Sequence, residues 1–161
     1  MRLALALFGF LLASPAPMFA KDNPPEPAMT KKPAIVAFLE KATENLEMPS
    51  ETDAPFRVVF YALESEKLLP AEIAKLADAP ADAEIETREL KDFFESAARE
   101  EHWMNDEEKA LAKRFAALVE VLQTQLKDVQ VVLWGENEKQ VAIIGKCEGG
   151  FAGLLTVVVE T

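Results

Sequence analysis

Cysteine and histidine are nearly missing from this sequence. Cys147 and His102 are the only ones among 161 residues. One cysteine excludes an internal disulfide, so the fold must rely on its core. One sulfur and one imidazole also fall short of the ligand set of a structural zinc site. A Cys–His nucleophile stands as the sharper reading of the two residues. The plainer one is a half-buried thiol in a turn and a solvated histidine. The glycine-bearing motifs are missing as well: there is no GxxxxGK[ST] loop, no GxSxG elbow and no GxGxxG after a strand.

Basic residues are scarce. Lys and Arg number 17 against 28 Asp and Glu, a formal net charge of −11. That excess argues against direct binding of nucleic acid, whose phosphates attract cations. It favours a basic partner, or solubility alone.

Long apolar runs are confined to one place. LALALFGFLLA, residues 3–13, follows Met1-Arg2 and precedes SPAPMFA and a polar stretch opened by Lys21. The run has signal-peptide length and is too short for a finished span. We expect cleavage after Ala20 and a periplasmic or secreted protein; the competing reading is an uncleaved anchor. Removal of residues 1–20 leaves 141 residues, with 16 basic and 28 acidic side chains and a charge of −12. A chain of that length forms one domain that buries roughly two-thirds of its unfolded surface.

The remaining chain is rich in periodic signals. KDNPPEPAMTKKP, residues 21–33, reads as a proline-rich linker. Ile35, Phe38, Leu39, Ala42 and Leu46 recur at helical spacing after Pro33. EMPSETDAP (47–55) reads as a loop and FRVVFYAL (56–63) as a strand. PAEIAKLA (70–77) suits a short helix and ADAEIET (81–87) a short edge strand. Thr87 is then positioned to cap a helix through ELKDFFESAA. A long helix is expected from Asn105 to Lys127, opened by an Asn105/Glu108 capping box. Its stripe is Leu111, Phe115, Leu118, Leu122 and Leu126, with Val119 beside it. VQVVLW (129–134), QVAIIG (140–145) and FAGLLTVVVE (151–160), separated by GENEK and KCEGG, form an antiparallel meander. The class is α+β, with helices packed on the sheet.

Chemistry is thinly signalled. DEE, residues 106–108, opens a helix, and its carboxylates radiate from the axis rather than spreading over a twelve-residue calcium loop. No pair of carboxylates stands out as a hydrolase pair. Trp103, in EHWMNDEE, has two readings: a hydrophobic staple ahead of the helix, or an exposed anchor for a partner. The last strand carries its apolar run to Val159, leaving only Glu160 and Thr161 beyond it.

Taken in order, WMNDEEKALAKRFAALVEVLQTQLK, QVVLWGENEKQVAIIG and FAGLLTVVVET resemble the nuclease A inhibitor family. Upstream, SETDAPFRVVFY (50–61) resembles its acidic loop and first strand, and EIETRELKDFFESAA (84–98) its middle helix. The likeness covers residues 34–161, so we expect a leader (1–20), a linker (21–33) and one inhibitor-like domain (34–161). The resemblance implies a PR-1-like α-β-α sandwich with a mixed sheet. It also implies a non-enzymatic inhibitor of a sugar-unspecific DNA/RNA endonuclease of the ββα-metal type. The competing function is an acidic periplasmic binding domain of the same fold with a different basic partner.

Residue roles follow from the resemblance alone. Thr161 is expected to reach the nuclease's Mg²⁺ in the complex, where carboxylate and hydroxyl oxygens suit that hard cation. The chain itself is expected to carry no cofactor. Glu51 matches an interface position of the acidic loop, and Asp53 and Glu160 join it by proximity. Trp103 matches a family position. The expected free state is a monomer that touches neither nucleic acid nor, once the leader is cleaved, membrane. The sequence departs from the pattern in carrying a leader and in replacing the usual turn before Ala152-Gly153 with KCEGGF.

Overall fold

Eleven short elements follow one another, and a computed structural model describes them over residues 32–160. The expected signal peptide, the linker up to residue 31, and Thr161 lie outside the described residues.

Helix α1 (Ala34–Thr43) starts immediately after Pro33. It buries Val36, Leu39 and Thr43, a line at i, i+3 and i+7. Phe38, expected in the stripe, is 56% exposed instead. The helix is turned so that Thr43 faces inward, where its hydroxyl donates to the Leu39 carbonyl at 2.8 Å. The expected loop 47–55 contains two short strands, β1 (Glu47–Met48) and β2 (Ala54–Pro55), paired antiparallel. Strand β3 (Arg57–Tyr61) and helix α2 (Pro70–Leu76) follow, with proline in the first turn of α2.

Strand β4 (Ile85–Arg88) absorbs Thr87, which pairs with Val132 and does not cap a helix. Helix α3 (Leu90–Ala98) has Glu89 at its N-cap, with no side-chain cap bond. Helix α4 (Asp106–Gln125) carries the capping box as expected: Glu108 N–H donates to Asn105 Oδ1 at 2.9 Å, and Asn105 N–H to Glu108 Oε2 at 2.8 Å. The helix stops at Gln125, and Lys127 already opens strand β5 (Lys127–Trp134). Phe115, Leu118 and Leu122 are buried, while Leu111 is exposed and Ala112 takes the inward place. The meander closes with β6 (Glu138–Cys147) and β7 (Gly150–Val159). A Cβ on Gly150 would fall 2.1 Å from the Tyr61 carbonyl oxygen, and its φ of +153° also favours glycine there.

The main sheet has the order β3-β7-β6-β5-β4, and every neighbouring pair among these described strands is antiparallel. The mixed sheet implied by the resemblance is therefore corrected. The reason lies between β4 and β5. One crossover helix returns the chain parallel to the strand it left, but two successive helices, α3 and α4, reverse it once more.

Alternation along the strands builds two cores. Val131, Leu133, Val141, Ile143, Ala152 and Leu154 face one side, with side chains of α1, α3 and α4. Val132, Trp134, Ala142, Ile144 and Phe151 face the other, with Ile73 and Ala74 of α2. Burial on both sides explains why these strands read as unbroken apolar runs.

Candidate functional site

The sheet has two ends with different chemistry. At one, the β6–β7 hairpin brings Cys147 and Glu148 beside Gln125, the end of α4, and Phe38 of α1. At the other, the β5–β6 hairpin meets the exit of β7, where the Glu160 N–H donates to the Asn137 carbonyl at 2.9 Å. Helix α4 has 20 residues, about 30 Å at 1.5 Å per residue. It matches β6, ten residues and about 33 Å. The start of α4, and Trp103 just before it, therefore point toward the end where β7 exits. His102 precedes the start of the 20-residue α4, whereas Cys147 lies beside its last residue, Gln125, which argues against a Cys–His nucleophile.

Four charged side chains meet at the exit of β7. Glu86 pairs in register with Leu133, and Leu133 with Val141. Lys139 stands two residues before Val141, and Glu160 two after Val158, so all four project toward the α1/α3/α4 side. Glu86 accepts from Lys139 Nζ at 2.7 Å and from Arg88 Nε at 2.6 Å. Glu160 accepts from Arg88 Nη1 at 3.0 Å and Nη2 at 3.3 Å, a two-pronged grip. Lys139 Nζ also lies 3.2 Å from Glu160 Oε2.

The electrostatics follow the contacts. The Arg88 hydrogen bond, helped by that of Lys139, holds the Glu160 carboxyl below its ordinary range against the opposing effect of burial, which outweighs the Lys139 bond alone. Lys139 and then Arg88 lower Glu86 in the same way. Arg88 and Lys139 are raised in turn, chiefly by Glu160 and Glu86 respectively. Here two carboxylates do meet, and both are held ionised. A catalytic acid needs the opposite shift. Among the described residues, no group of three or more His, Cys, Asp or Glu side chains is arranged to hold a metal ion.

The acidic loop is tied to the same strand. Ser50 Oγ donates to the Thr52 carbonyl at 2.7 Å and accepts from Val159 N–H at 3.3 Å. Thr156 Oγ1 donates to the Pro55 carbonyl at 3.2 Å, which holds β2 against β7. Glu51 thus leaves the chain next to Ser50, as Glu160 does next to Val159. Asp53 is exposed just ahead of β2. Glu84, Glu86 and Glu136 line a groove over Leu133 and Trp134 beside the four-charge cluster.

Four of the five expected site residues have a place in the fold. Glu51, Asp53 and Glu160 gather at the exit of β7. Trp103 is 66% exposed on the side toward that end, so the staple reading fails. Met104 occupies the position before the Asn105 cap, and its sulfur accepts from Glu101 N–H at 3.3 Å. Thr161 lies outside the described residues. Ser50, Glu86, Arg88 and Lys139 were not foreseen. Only the Glu86/Arg88 alternation on β4 hints at a shared face.

No protein of curated function matches this chain. A family description, nuclease A inhibitor-like protein, matches residues 33–161. That span includes every element from α1 to β7 and runs beyond the exit of β7, so the chain belongs to the nuclease A inhibitor-like family.

Proposed function

We propose that this protein inhibits a sugar-unspecific, metal-dependent endonuclease of the ββα-metal type and has no catalysis of its own. The observation that carries the reading is the family membership over residues 33–161. The geometry supports it. An enzyme that cuts nucleic acid of any sequence holds phosphates in a basic cleft near a divalent cation. An acidic end bearing Glu51, Asp53, Glu84 and Glu136 complements such a cleft, and complementary charge speeds and orients encounter. In this reading Thr161 supplies oxygens to the nuclease's own Mg²⁺, and Trp103 packs at the contact. We further propose that residues 1–20 direct export, so that the nuclease it restrains is also exported. The mature N-terminus, read by mass spectrometry on protein from the cell envelope, is expected at Lys21.

The test is digestion of plasmid by a Mg²⁺-dependent, sugar-unspecific nuclease from the same cell, with residues 21–161 added at low and moderate salt. Inhibition that weakens with salt supports the reading. Undiminished digestion at micromolar excess contradicts it and shifts the proposal to another basic partner.

A further inference from the structure

Arg88 and Lys139 pose a problem for an inhibitor that works by negative charge. Each subtracts from the field at the end of the sheet that carries Glu51, Asp53, Glu84 and Glu136. Neither charge is presented outward, however. Lys139 is 18% exposed, and its ammonium lies between Glu86 and Glu160. Arg88 spans the same two carboxylates.

Residues that leave a strand without a pairing partner fray unless something holds them. Here the backbone of Glu160 is fixed by the Asn137 carbonyl, and its side chain by a fork from β4 and an ammonium from β6. Three points of attachment from three segments leave Glu160 little freedom. Isolated exposed ion pairs contribute little. A bidentate arginine within a network is the exception.

We propose that Arg88 and Lys139 are positioning residues that clamp Glu160 and so fix the exit of β7, beside the Ser50–Glu51 loop, in the form the partner meets. Glu160 is then an internal anchor and contacts the partner only through what it orients. The functional half of this inference rests on the inhibitor reading above; the clamp itself does not. Holding Glu160 and the exit of β7 in place before binding removes the cost of ordering them in the complex.

The experiment uses the mature chain and three charge-lowering variants. Arg88→Gln and Lys139→Met break the clamp, and Lys127→Gln removes an exposed cation at the opposite end of the sheet. Lys139→Arg restores the charge. For each we measure the inhibition constant, the exchange rate of the Glu160 amide by NMR, and the acid titration of the Glu160 carboxyl. Arg88→Gln and Lys139→Met should weaken inhibition roughly tenfold despite their more negative charge. Amide exchange should speed up, and the Glu160 titration should return toward the ordinary range. Lys127→Gln should match the unaltered chain, and Lys139→Arg should recover most of the inhibition. Variants that inhibit as well as or better than the unaltered chain would overturn the positioning role. Unchanged exchange and titration would overturn the clamp. If the unaltered chain fails to inhibit while exchange and titration respond as expected, the inhibitor reading falls and the clamp stands.

Discussion

The backbone N–H of Val159 donates to the Ser50 hydroxyl at 3.3 Å, across 109 residues of sequence. This bond joins the loop that holds Glu51 to the strand that leads to Glu160. Ser50→Ala should leave the fold intact and cost about 1 kcal/mol, the usual worth of one hydrogen bond. Urea unfolding gives that loss, and exchange of the Val159 amide should rise. A variant unchanged in both would mean that β1–β2 pairing and the Thr156–Pro55 bond hold the loop without Ser50.

Acid should loosen the four-charge cluster. Contacts with Arg88 and Lys139 lower Glu160 and Glu86 in the folded state. Their contribution is therefore full above the ordinary glutamate range and is lost as pH falls through the lowered native values. Both carboxylates are about two-fifths exposed, so the effect should stay near or below about 1 kcal/mol. The stability difference between the unaltered chain and Glu160→Gln, measured by urea unfolding, should be present at pH 7 and vanish in strong acid. A difference that grows toward acid would contradict the sign.

Trp103 should separate binding from stability. Its ring is two-thirds exposed, so Trp103→Ala should change stability by no more than about 0.5 kcal/mol. At a binding hot spot the same change costs at least about 2 kcal/mol of affinity. Calorimetric unfolding and inhibition of the nuclease measure the two quantities on one sample. Lost stability with unchanged inhibition would return the residue to a packing role.

The core should show the reverse. Phe115 is fully buried, with its ring centroid 6.1 Å from that of Phe94 and 6.4 Å from that of Phe56. Phe115→Ala should cost about 3–5 kcal/mol. That is a large share of the stability of a domain this size. A midpoint of urea unfolding close to that of the unaltered chain would mean that the cavity collapses.

What the sequence disclosed was local. The α4 capping box needs only Asn105 and Glu108, three residues apart, and the meander follows from apolar runs and glycine turns. The order of its motifs also disclosed the family. What it hid was set by tertiary packing. Thr87 is a good cap by type, yet its register opposite Val132 holds it in β4. Phe38 has core character, but α1 is rolled to place Thr43 inward. Arg88 and Glu160 lie 72 residues apart, and no short-range pattern pairs them. Both α3 and α4 were legible in the sequence, and the mixed sheet was an implication of the resemblance that the antiparallel pairing of β4 with β5 corrects.

The most direct measurement compares inhibition by residues 21–161 with inhibition by the same chain lacking Thr161, against a Mg²⁺-dependent nuclease at fixed salt. The account predicts that the shortened chain, still anchored through Glu160 and folded as before, inhibits at least tenfold more weakly. Equal inhibition by the two would contradict the proposed role of Thr161 and leave the acidic surface to act alone.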